Sequence, residues 1–192
     1  MSDHRPDDDE YYALDRTELF SQGDIFRDVP LAYPTVLHEA GESEDEGADE
    51  LLSAGKRRFL SGPLEFGHAM LITPTCAMTA QAAVGYAHPL RTLVVVRVIE
   101  DVVGRFLSEA QVEDLRRRDR FGSYMYLPPA PEVDLPESVA LLYYPVTVHH
   151  DFLDGNRVTQ LAYNGAQQLQ RKLGIFYAGF EVDRDEFDPP MD

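Results

Sequence analysis

Five side chains able to do acid–base or nucleophilic chemistry fall within one short stretch, Gly67 to Gln81 (GHAMLITPTCAMTAQ): His68, Thr73, Thr75, Cys76 and Thr79. An imidazole titrates near neutrality and can pass a proton. A threonine hydroxyl becomes a nucleophile when a base sits beside it, and a thiol when its charge is stabilised. Each also has an ordinary role. His68 can be a solvent-facing residue ahead of a strand, the threonines can satisfy a turn at Pro74, and a lone cysteine can be a small core residue. No fixed basic partner for Cys76 can be named from the sequence, so a thiol-dependent enzyme lacks its activating group.

Two further clusters carry chemistry. His149, His150 and Asp151 are metal-ligand types in succession. Successive strand residues face opposite ways, so at most one histidine is expected to share a face with Asp151. The expected role is a polar cluster beside a turn, with no metal site. Arg116, Arg117, Arg118 and Arg120, with Lys56, Arg57 and Arg58, could grip phosphates. A solvated helix face touching an acidic loop uses the same residues.

The elements that must hold these groups begin with charge. The 192 residues carry a net charge of −17. Residues 1–28 hold nine acids and three bases, 39–50 seven acids and no base, and 181–192 six acids and one base. The remaining body is near neutral, so the total does not exclude a local anion site. The expected organisation is an acidic arm over 1–20, one domain over 21–180 with an acidic insertion at 39–55, and an acidic tail over 181–192. No apolar run nears the roughly 18 residues of a membrane helix, and the N-terminus is acidic where a leader would be basic. A cytoplasmic protein without a membrane role is expected, and the single cysteine agrees with a reducing compartment.

Within that domain, Gly23 to Phe26 reads as a turn feeding a strand, interrupted at Asp28 and Pro30 before an edge segment at 31–37. Residues 69–73 read as a buried strand. Arg91 to Ile99 is the clearest strand, its β-branched run implying cover on both faces. Ser108 to Gln111 has the form of a capping box opening a helix to about Arg120. Strands follow at 121–127, 138–148 and 157–163, the second with Leu141, Leu142, Tyr143, Tyr144 and Val146 as core residues. Asn164 can cap a last helix to Phe180. The fold class is α+β, mainly β: a small curled sheet or SH3-like barrel of about six strands with two helices. There is no GxGxxG, no GxxxxGK[ST] and no cysteine-rich metal spacing, so no cofactor is expected.

Gly23 to Phe26 (GDIF), a proline-broken strand and the segment AMLITPTC resemble the PemK/MazF-like SH3-type barrels. The likeness is greater to uncharacterised bacterial relatives that pair GDIF with a TxTCD-like segment, an LP turn and a final helix after Arg-x-x-x-Leu. The matching residues are Gly23 to Phe26, Thr73 to Ala77, Leu127-Pro128 and Arg157 to Leu161. The resemblance implies a toxin-like endoribonuclease using an arginine and a Ser or Thr near the second apolar strand. This chain departs from it, with Gly67-His68 where the arginine is expected and Ala77 where relatives carry Asp.

Two function classes follow. One is a non-catalytic binding or regulatory module, its partner a protein or RNA. The other is an endoribonuclease with a degenerate active site built on His68, Thr73 and Thr75 beside the arginine helix. Barrels of this resemblance pair through sheet edges, so a homodimer is the expected assembly.

Overall fold

A computed structural model describes residues 11–13, 19–32, 36–39, 58–75, 78, 89–118 and 122–178. The expectations for residues 1–10, most of the acidic insertion, the 181–192 tail, Lys56, Arg57, Cys76, Ala77 and Arg120 lie outside them. Two compact units make up the chain: Met1–Val29 with Gly67–Asp192, and Pro30–Phe66.

The elements run β1 (Ile25–Ala32), β2 (Val36–Glu39), β3 (Arg58–Ser61), β4 (Leu64–Leu71), β5 (Leu90–Val98), α1 (Ile99–Val102), α2 (Glu109–Arg118), β6 (Tyr124–Leu127), β7 (Ser138–His149), β8 (Arg157–Thr159) and α3 (Tyr163–Ala178). Six strands form one antiparallel sheet, ordered β6-β7-β5-β4-β1-β8 and left open. The fold is therefore α+β and mainly β. Strands β2 and β3 form a separate two-stranded ladder in the smaller unit, with Val36 opposite Ser61.

Strand β5 is central because Leu93, Val94, Val95 and Val96 are all buried, as a strand covered on both faces requires. Its register with β7 shifts between Val94, opposite Pro145, and Val95, opposite Leu141. The three residues looped out are Leu142, Tyr143 and Tyr144. This bulge explains why Tyr143 is exposed, and Tyr144 and Val146 only partly buried, where a regular strand would send alternate residues inward. Leu141 and Leu142 stay in the core.

Strand β1 differs from its sequence reading. Asp28 and Pro30 do not break it: Asp28 adopts φ 53, a left-handed conformation aspartate tolerates, and the strand continues to Ala32. The capping box forms as read, with the Ser108 backbone N–H donating to Gln111 Oε1 at 2.9 Å and the Gln111 N–H to Ser108 Oγ at 3.3 Å. Helix α3 starts at Tyr163, one residue before the expected cap Asn164. Its face buries Leu169 and, unexpectedly, Lys172, whose ammonium donates to the Tyr124 carbonyl.

The N-terminal segment ends in the core. Tyr11 and Tyr12 are buried, and their hydroxyls donate to the Tyr126 and Pro128 carbonyls, each at 2.7 Å. Tyr12 bridges to Leu161, and the Ala162 N–H donates to the Tyr11 carbonyl at 2.9 Å. Gly165 is needed here, since a Cβ on it would lie 2.9 Å from that carbonyl oxygen. Among the described residues, no helix is long and apolar enough to cross a membrane.

Candidate functional site

The GDIF turn and the end of β4 are joined by a hydrogen-bond cluster. The Gly23 N–H donates to the Leu71 carbonyl and the Leu71 N–H to the Asp24 carbonyl, each at 2.8 Å. The Gln22 N–H donates to Thr75 Oγ1 at 2.9 Å, and its side-chain amide to the Ile72 carbonyl at 2.8 Å. Arg157, at the start of β8, donates from Nη1 to Asp24 Oδ2 and to the Leu19 carbonyl, both at 3.1 Å. Gly23, at φ +97, lies so close to Leu161 that a Cβ would fall 2.9 Å from its Cδ1. Segments 23–26, 73–75 and 157–161 thus converge on one end of the sheet. Asp24 is not among the sequence-predicted site residues, although a small acidic residue after a glycine turn is a backbone-capping signal.

The expected catalytic residues occupy different places. Thr73 Oγ1 accepts from the Thr92 N–H at 2.8 Å and lies 3.4 Å from the Thr92 carbonyl, so its hydroxyl bridges the edge of β5. His68 lies inside β4, opposite Val96, where the sequence reading had put it ahead of the strand. The strand starts earlier because Leu64 to Gly67 are extended as well. Val96 and Thr92 are four residues apart, which at strand rise separates His68 from Thr73 by on the order of 13 Å. No proton can pass directly between them. Burial lowers the His68 pKa, against the opposing pull of Asp28 and Asp134 and aided by Arg27.

Among the described side chains of α2, Arg116 and Arg117 are both paired with acids. Arg116 holds Glu137 in a bidentate pair, Nε to Oε1 at 2.7 Å and Nη2 to Oε2 at 2.8 Å, with Glu113 3.6 Å from its Nη1. Arg117 Nε donates to Glu113 Oε1 at 2.9 Å. The hydrogen bonds to Glu137 push the Arg116 pKa above its ordinary value, so it remains a fixed cation. Arg118 ends the helix, and its side chain lies outside the described residues.

At the far end of β7 the structure corrects the sequence reading. His149 ends the strand and His150 opens a 3₁₀ turn, His150–Phe152, so strand alternation no longer separates their rings. The imidazoles stack with centroids 4.6 Å apart and planes 30° from parallel. His149 Nδ1 lies 3.2 Å from Asp151 Oδ2, and His150 Nε2 lies 3.0 Å from Asp151 Oδ1. Both histidines therefore meet the same carboxylate.

No family model matches this chain, and no curated protein matches it.

Proposed function

We propose that this chain is a non-catalytic binding module related to the PemK/MazF-like barrels, and that its partner is a protein. The observation that carries this reading is the commitment of Thr73 to the Thr92 backbone, about 13 Å along the sheet from His68. An acid–base pair with a nucleophile between them is not assembled there. The pairing of Arg116 and Arg117 with Glu137 and Glu113 favours a protein over RNA, because phosphate binding would first have to break those pairs. The convergence of segments 23–26, 73–75 and 157–161 supports a PemK/MazF-like framework. A cytoplasmic location belongs to the same reading.

Incubation of the pure protein with mixed cellular RNA, and with single-stranded oligonucleotides at low and moderate salt, tests it. Intact RNA and no retained oligonucleotide at moderate salt are expected. Cleavage that disappears in His68→Ala would overturn the proposal in favour of the endoribonuclease. Binding without cleavage, weakening steeply with salt, would transfer the partner from protein to nucleic acid.

A further inference from the structure

We propose that His149, His150 and Asp151 form a binding site for one divalent transition-metal ion of the zinc, nickel or copper class. Among the described residues these three are the metal-ligating side chains that converge, their ligand atoms all within 4.8 Å of one another.

The tautomers decide the chemistry. His150 Nδ1 lies 3.3 Å from the Pro89 carbonyl oxygen, which can accept the proton of an Nδ1–H tautomer. In the neutral ring Nε2 then presents its lone pair to Asp151 Oδ1, 3.0 Å away. His149 Nδ1 points at Asp151 Oδ2 at 3.2 Å and takes only a long contact, 3.4 Å, from the Asp151 N–H. With that tautomer, His150 Nε2 and His149 Nδ1 can each turn a lone pair to one ion held beside the Asp151 carboxylate. A single divalent ion satisfies all three groups.

The distances suit that role. An ion about 2.0–2.2 Å from each ligand holds neighbouring ligand atoms about 3.0–3.5 Å apart, the range of the two histidine–aspartate separations. Closing the widest gap requires a contraction of about an ångström. The Pro89 carbonyl supplies the hydrogen bond that commonly orients a ligating imidazole, and the His150 N–H donates to the same oxygen at 2.8 Å. Two imidazoles and one carboxylate select borderline transition metals over magnesium or calcium. The half-exposed rings leave the remaining coordination positions to water.

The test is calorimetric titration of untagged, chelator-stripped full-length protein with zinc and, separately, nickel at neutral pH. One ion per chain is expected. Affinity should fall at least about ten-fold in His150→Ala and in Asp151→Asn, and be kept in His68→Ala and Cys76→Ser. Titration of the wild type followed by imidazole ¹⁵N shifts needs no variant to fold, and should move His149 and His150 while leaving His68 in place. Absence of stoichiometric binding would overturn the site. So would binding that survives the His149→Ala/His150→Ala double variant, or zinc shifts confined to other histidines. Rings that respond to pH but not to zinc would make the cluster a proton site only.

Discussion

Asp24, fully buried, accepts through Oδ2 from Arg157 Nη1 at 3.1 Å and from the Ser21 N–H at 2.9 Å, linking the turn before β1 to the start of β8 across 133 residues of chain. Arg157 is held in turn by the Leu19 carbonyl and by the Phe20 ring, 5.7 Å from its guanidinium carbon. Removing only the cation leaves a buried carboxylate without its countercharge. Arg157→Met should therefore cost about 3–5 kcal/mol in urea unfolding. Asp24→Asn with Arg157→Met should cost less than Arg157→Met alone, because no buried charge then remains. A double-variant loss equal to the sum of the losses in Arg157→Met and Asp24→Asn would show that the pair does not couple.

Two backbone positions near that pair make opposite demands. Gly23 combines φ +97 with the close approach of Leu161, so Gly23→Ala should cost more than about 1 kcal/mol. Asp28 sits at φ 53 with its side chain exposed. Asp28→Gly should stay within about 1 kcal/mol of the parent, and Asp28→Val should lose about 1–2 kcal/mol, since valine is strained there. Thermal unfolding of the three variants checks the ordering. A harmless Asp28→Val would mean that the left-handed turn is not kept in solution.

The two described arginine side chains of α2 should separate sharply in their contribution to stability. Arg116 shares Glu137 Oε1 with the Tyr126 hydroxyl, which donates to it at 2.7 Å, and Tyr126 is buried. Arg116→Ala should cost about 1.5–3 kcal/mol, the range for hydrogen bonds to charged groups. Arg117 is exposed and pairs with Glu113 one turn away, so Arg117→Ala should cost at most about 0.5 kcal/mol. Denaturant midpoints of the two variants decide it, and equal losses would argue against the Glu137 pair in solution.

What was legible in the sequence was local. The β-branched run at 93–96 and the Ser108–Gln111 box signal their structures through nearest neighbours, and both formed. The bulge at 142–144 was not legible, because it reflects how β7 meets β5 and β6 rather than any turn residue of its own. The burial of Lys172 was not legible for a related reason: its partner is the Tyr124 carbonyl, 48 residues away. For the candidate sites, residue types were visible and geometry was not. Strand alternation predicts that His149 and His150 diverge, but the strand ends at His149 and the 3₁₀ turn opens at His150. His68 and Thr73 looked like neighbours in a short motif, yet a strand carries five residues too far for them to meet.

His68 should give the fold a specific acid sensitivity. Burial in β4 lowers its pKa below the ordinary 6.5, with Asp28 and Asp134 pulling the other way and Arg27 adding to the shift. The unfolded chain then binds its proton at higher pH than the folded chain does. Wherever the unfolded state holds more protons, stability rises with pH. The His68 contribution is thus fully present above about pH 6.5 and is lost as pH falls from there through the folded-state value. In His68→Gln this part of the slope should vanish. Urea midpoints of the two proteins, measured in steps from about pH 7.5 to pH 5, provide the comparison. Parallel curves over that window would mean that His68 accepts its proton as readily in the folded sheet as in water, and that Asp28 and Asp134 together cancel the effect of burial.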